Sequence, residues 1–250
     1  MSTTDPEHPP VSADPCGFAQ TRWSLIVAAR ERDTPEAHNA LSLLCESYWY
    51  PLYAYIRRRG YTADEAADLT QGFFARLLES EFFGAADPTK GRFRAFLLAS
   101  CKNFLANEHD RAIAQKRGGG RSPLSINVGS AEGRYSSEPS HELTAEKLFE
   151  RRWAVTLLDH ALARLRKEFM DKGKETQFDQ LRVYLVGERG GPSHGKAAEE
   201  LGMTAGAVKV AVHRMRQRYR ELLREEIAHT VGGPDQIEEE IRQLFAALSS

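Results

Sequence analysis

Cysteine is scarce in this 250-residue chain: Cys16, Cys45 and Cys101 stand far apart, and none belongs to a CxxC pair. That spacing argues against a disulfide framework and against a cysteine zinc site, and free thiols suit a reducing compartment. No run of about 18 apolar residues is present, so no membrane-spanning helix and no membrane partner are expected. The opening decapeptide MSTTDPEHPP has neither a basic start nor an apolar stretch, and is not expected to act as a secretory signal. Glycines cluster in GERGGP at 187–192, but no GK[ST] follows them, which excludes a phosphate loop. A strong net charge is lacking too, the formal value being −1. The expectation is a soluble cytoplasmic protein whose first 20 residues are disordered.

What the chain does have is charge segregation. Residues 1–20 carry three acids and no Lys or Arg, and residues 225–250 carry six acids and one Arg. The basic residues concentrate between these ends, which suggests local nucleic-acid surfaces on a protein that is not globally polycationic.

Helical periodicity runs almost throughout from Thr21, which caps TRWSLIVAARER. Pro35 opens a longer helix ending at Gly60, with Leu41, Leu44, Tyr48, Leu52, Tyr55 and Ile56 as core positions and a kink expected at Pro51. The aromatic cluster Tyr48, Trp49, Tyr50 and Tyr53 reads as packing rather than a base-stacking platform. In the next helix, TADEAADLTQGFFARLLES, Thr62 and Glu65 form a capping box and Ala66, Leu69, Phe73 and Leu77 an inner stripe. Asp64, Asp68 and Gln71 share another side. Acids are favoured in a helix's first turn, and no His or Cys accompanies these, so no metal site is assigned; the acidic face suits a protein partner better.

After a turn at GAADPTKG comes RFRAFLLASCKNFLANEHDRAIAQKRGGGR. Here Phe93, Phe96, Leu97, Phe104 and Leu105 alternate with Arg92, Arg94, Lys102, Asn103, Asn107 and Arg111. Aromatic, basic and amide side chains on one helix are what a surface needs to hold unpaired bases and their phosphates. Composition alone leaves that reading level with an ordinary amphipathic helix. The stretch 118–143, rich in Gly, Ser and Pro, reads as a flexible linker. Helicity resumes at Thr144 with Leu148, Trp153, Val155, Leu158, Leu162 and Leu165 apolar, and a further helix is expected at 176–187.

The segment SHGKAAEELGMTAGAVKVAVHRMRQRYRELLR has the order of a helix-turn-helix: a helix capped by Ser193, a turn at Gly202, and a long basic helix capped by Thr204. On the second helix Val208, Ala211, Val212, Met215, Tyr219 and Leu222 share one face. Gly206, Val210, His213, Arg214 and Gln217 lie opposite, with Lys209 and Arg220 on the flanks. Six Lys or Arg against one Glu between 204 and 224 make this a candidate major-groove helix, although a solvated basic face is the commoner meaning of such a run. Past the break GGP at 232–234, DQIEEEIRQLFAALSS forms an acidic amphipathic helix whose Ile237, Ile241, Leu244, Phe245 and Leu248 need a surface to pack on. Opposite charge and an unpaired apolar face suggest that it folds back and restrains DNA binding.

Taken together, residues 20–228 resemble the extracytoplasmic-function (group IV) sigma factors of bacterial RNA polymerase. DEAADLTQGFFARLL is similar to the family's polymerase-binding helix, FRAFLLASCKNFLANEHDRA to its strand-opening helix, and LGMTAGAVKVAVHRMRQRYRELL to its upstream-promoter helix-turn-helix. The resemblance implies that Asp64, Asp68, Leu69 and Gln71 meet core RNA polymerase. It assigns the downstream element and melting to Arg92, Phe93, Phe96, Lys102, Asn103, Asn107 and Arg111. The upstream element of promoter DNA falls to Thr204, Lys209, Val210, His213, Arg214, Arg216 and Gln217, with Arg216 and Arg218 as backbone contacts; helix geometry puts those two nearer the buried edge. An anti-sigma factor or a regulatory kinase is a further partner the resemblance leaves open. Gly72 departs from the family, which usually has an acid there, and FDQLRVYLVGERGG replaces the family's proline-arginine signature.

The expected fold is all-α, with two helical domains joined by a flexible linker, the C-terminal one a helix-turn-helix, plus a C-terminal extension helix. Its bounds are a disordered 1–20, a first domain at 21–117, the linker at 118–143, a second domain at 144–228 and the extension at 229–250. The expected function is promoter recognition, DNA melting and transcription initiation with no covalent chemistry, no cofactor and no catalytic residue. A stand-alone helix-turn-helix regulator is the alternative. A DNA-processing enzyme is disfavoured, since neither a spaced carboxylate set nor a Ser or Tyr nucleophile amid arginines stands out.

Overall fold

Most of the apolar stripes read from the sequence become the inner faces of helices. A computed structural model of the chain describes residues 35–78, 92–115, 128–138, 143–185, 193–231 and 233–249. The expected disordered 1–20, the helix expected from Thr21, the turn GAADPTKG and the loop GERGGP lie outside the described residues. Within them the chain is all-helical, with nine α-helices and no strand. None of these helices is long and apolar enough to cross a membrane.

Helix α1 (Pro35–Arg58) starts on its proline and runs on through Pro51. Tyr48, Leu52, Tyr53, Tyr55 and Ile56 are fully buried, so the aromatic cluster is packing, with Tyr48 edge-on to Phe93 and stacked near Phe149. Helix α2 (Ala63–Leu78) opens on the capping box: the Thr62 amide donates to the Glu65 carboxylate at 2.8 Å, and the Glu65 amide to Thr62 Oγ1 at 3.3 Å. Helix α3 (Phe93–Gln115) buries Phe93, Leu97, Cys101, Phe104 and Leu105. Burial pushes the Cys101 thiol up to about 12, so this cysteine is an unreactive core group.

A helix, α4 (Val128–Ser136), occupies part of the stretch expected to be a flexible linker. Two glycines and no apolar period hide it in the sequence; long-range polar contacts stabilise it. Glu132 accepts from Arg57 Nε at 2.9 Å and from the Tyr53 hydroxyl at 2.6 Å, and Glu138 accepts from Tyr50 and pairs with Arg152.

Helix α5 (Ala145–Asp171) is capped by Thr144, whose hydroxyl accepts from the Lys147 amide. At 27 residues it is about 40 Å long, and its two halves meet different partners. Its first half meets α1 and α3 through Phe149, Trp153 and the Lys102–Glu146 pair. Its second half meets α8 (Ala205–Ala228) through Arg164 on Glu225 and Glu226, Glu168 on Arg218, and the Tyr219 hydroxyl on the Leu158 carbonyl. Helix α6 (Glu175–Leu181), extended by a single 3₁₀ turn to Tyr184 and so ending short of the expected residue 187, packs Phe178 edge-on to Phe169. Helix α7 (His194–Leu201) leads into α8.

The tail helix α9 (Ile237–Ser249) finds its surface on α5 and α8. Leu244 is fully buried, and Ile237, Ile241 and Leu248 are partly covered, whereas Phe245, expected to pack, points outward. Helix periodicity put Phe245 beside Leu244, but the supporting surface extends under only one of them.

Hydrogen bonds to Arg57, Lys102 and Arg218 hold the carboxyls of Glu132, Glu146 and Glu168 below their ordinary 4.5. A carboxylate favoured in the folded state contributes stability that is full above its unfolded pKa and is lost as pH falls through its lower folded value. The urea midpoint is therefore expected to fall steadily on acidification below about pH 4.5, and Glu132→Gln to flatten part of that slope. A midpoint that stays constant down to about pH 3 would contradict the ion-pair assignment.

Candidate nucleic-acid interface

Gly202 sits in the left-handed region (φ 61°), which lets α7 stop and the chain turn without the cost a side chain would add there. The Met203 amide returns to the Ala198 carbonyl at 2.9 Å, and Thr204 Oγ1 accepts from the Ala207 amide at 3.2 Å to start α8. Ser193 stands at the cap position of α7, but its side chain makes no cap hydrogen bond.

On α8 the inner face is the expected one: Val208, Val212, Met215 and Leu222 are buried, and Ala211 and Tyr219 partly so. The outer face presents Thr204, Lys209, Val210, His213, Arg214 and Gln217, Val210 being half exposed. Lys209, His213, Arg214 and Arg220 make no ion pair among the described residues, while Gln217 donates to Glu221.

The remaining arginines of α8 are engaged by the protein itself. Arg216 donates from Nε and Nη2 to the Tyr184 carbonyl at 2.9 and 2.6 Å, fixing the end of the 3₁₀ turn after α6. Arg218 joins Glu168, Glu221 and Glu225, and Arg224 joins Glu238 of α9. Cations available to a ligand are thus concentrated in the first half of α8. Between α5, α6 and that half lies a groove of about 700 Å³ lined by Phe169, Leu181, Met203, Val210 and Arg214, with Lys172 and Lys174 on its rim. These two lysines were not singled out from the sequence, because only the packing of α6 brings their turn beside α8.

The residues expected to handle an opened strand are divided. Asn103, Asn107 and Arg111 are exposed on α3, Arg111 pairing with its neighbour Glu108. Phe96 is partly buried against Phe93, which is itself core, at 1 % exposure. Lys102 reaches Glu146, and Arg92 reaches Glu239 and Glu240 at 3.5 and 2.8 Å. On α2, Asp64 and Asp68 are exposed and make no ion pair among the described residues; Leu69 and Gln71 are half-buried beside them.

Protein-family models, curated proteins and solved structures give no match to this chain. The arrangement itself therefore carries the functional argument. It offers one basic helix face with an apolar groove beside it, one amide-bearing helix face, and one acidic helix face. At Gly72 a β-carbon would lie 3.5 Å from the Phe104 ring, an ordinary van der Waals contact.

The engaged and the unengaged side chains of α8 should separate in a denaturation experiment. Arg216→Ala removes charged hydrogen bonds from a backbone carbonyl and is expected to destabilise by about 1.5–3 kcal/mol. His213→Ala and Arg214→Ala should stay within about 0.5 kcal/mol of the parent. Equal losses for all three by urea unfolding would show that the outer face is structural.

Proposed function

We propose that the chain is a promoter-recognition subunit of bacterial RNA polymerase, a sigma factor of the extracytoplasmic-function kind, working in the cytoplasm. In this reading residues 21–117 and 144–228 act as two modules joined through 118–143, and residues 193–228 are a DNA-reading helix-turn-helix. The first half of α8 enters the major groove of the upstream element, where Lys209, His213, Arg214 and Gln217 meet base edges and phosphates and Val210 offers an apolar contact. Phosphate contacts at the groove rim set the register. On α3, Asn103 and Asn107 with Phe96 bind bases released when the duplex opens, and Arg111 reaches the backbone. The acidic face of α2, Asp64 and Asp68, docks on the polymerase.

The observation that carries this reading is the sorting of basic and polar side chains on α8. Arg216, Arg218 and Arg224 are bound by the fold, whereas Lys209, His213, Arg214 and Arg220 are exposed and make no ion pair among the described residues. The separate acidic face on α2 favours a polymerase subunit over a stand-alone regulator, which has no use for it.

Run-off transcription with purified core polymerase on promoter-bearing fragments tests the proposal. The chain should co-elute with core enzyme and direct discrete transcripts, and His213→Ala with Arg214→Ala should reduce them at least about tenfold, since each good base contact contributes about 1–3 kcal/mol. Duplex binding without co-elution would favour the stand-alone regulator, and no transcript with no duplex binding would overturn both.

A further inference from the structure

The first turn of α9 carries three consecutive acids, Glu238, Glu239 and Glu240, and each meets an arginine of a helix that the proposed function assigns to nucleic acid. Glu238 pairs with Arg224 of α8. Glu239 and Glu240 pair with Arg92 at the head of α3, and Glu240 takes Arg94 Nε and Nη2 at 2.7 and 3.2 Å. Gln243 accepts from the same guanidinium, one turn further along α9. The carboxylates of one short helix thus stand where backbone phosphates would neutralise Arg92, Arg94 and Arg224.

Core completion accounts for Leu244 and for the partly covered Ile237, Ile241 and Leu248. It does not account for Glu238 and Glu239, which lie on the outer side of α9 with side chains 61 % and 43 % exposed. A helix's own dipole favours acids in its first turn, but it does not select the arginines of α3 and α8 as their partners. Arg224 was assigned no ligand by the sequence; with α9 lifted, Arg92 and Arg224 lose their carboxylates from the tail, and Arg94 keeps only Glu150 of α5.

We infer that α9 is an internal competitor of nucleic acid: it covers a latent cationic site, Arg92, Arg94 and Arg224, which binds DNA phosphates when the helix is displaced. This rests on the proposed function for the identity of the ligand, and on the ion pairs alone for the competition. Each uncovered arginine that reaches a phosphate adds about 0.9 to the slope of log affinity against log salt.

The full-length chain carrying Glu238→Gln, Glu239→Gln and Glu240→Gln is the test, read by fluorescence anisotropy with a labelled random-sequence duplex and with its single strand. Affinity is expected to rise at least about tenfold at about 50 mM salt, with a salt slope steeper by about two to three. Gln at position 240 leaves Arg94 with fewer charges about it. Should that variant fail to fold, Glu238→Gln with Glu239→Gln, on the exposed side, decides alone, with an expected gain of about threefold. Unchanged or weaker affinity for both probes in a folded variant overturns the inference, and so does an absence of binding by every form. Co-elution of the parent chain with core polymerase is scored separately. If it fails while the glutamine variants bind more tightly, the competitor stands and the sigma-factor reading falls; if it succeeds while their affinity is unchanged, the reverse holds.

Discussion

The Arg94 guanidinium is the contact on which the packing depends. It is 5 % exposed, lies 4.3 Å from the centroid of the Trp153 ring, and is neutralised by Glu240, itself 1 % exposed, and by Glu150. Taking a lone charge out of water costs several kcal/mol, and removing one partner of such a pair about 3–5 kcal/mol. Arg94 can stay inside only while carboxylates stay with it. That requirement ties α3 to α5 and to the tail helix α9, so the position of the last helix is coupled to the one that carries the amide face.

From that node the long helix α5 passes the constraint to α8. Its first half shares the aromatic core of Tyr48, Phe93 and Phe149, and its second half meets α8 through Arg164 and Glu168. Ion pairs then decide which cations remain for a ligand. Arg218 is taken up by Glu168, and Arg216, although exposed, is held by hydrogen bonds to the Tyr184 carbonyl, whereas Lys209 and Arg214 make no ion pair among the described residues. The chemical character of the outer surface is therefore a product of internal packing as much as of composition.

Much of this was legible in the residues. Helical spacing marked Tyr48, Leu52 and Ile56, the box Thr62 and Glu65, the cap Thr204 and the turn at Gly202, because each is a local rule acting within one or two turns. The outward set on α8 followed from the same arithmetic. Where long-range contacts overrule local ones, the reading failed. Helix α4 has weak propensity and exists through Glu132 and Glu138 reaching α1 and α5. Phe93, grouped with strand-binding residues by its place beside arginines, is core because Tyr48 packs on its edge. Arg92 and Lys102 look available in one dimension and meet Glu240 and Glu146 in three. No spacing rule announces that a tail acid will lie on an arginine 146 positions away.

The most direct measurement is site-specific photo-crosslinking, with one probe at position 68 on α2 and one at position 213 on α8, in a single mixture of the full chain, core polymerase and promoter DNA. A sigma-type division of labour puts the probe at 68 on a polymerase subunit and the probe at 213 on duplex DNA upstream of the transcription start. Crosslinks from 213 to protein alone, or from 68 to DNA, would contradict it.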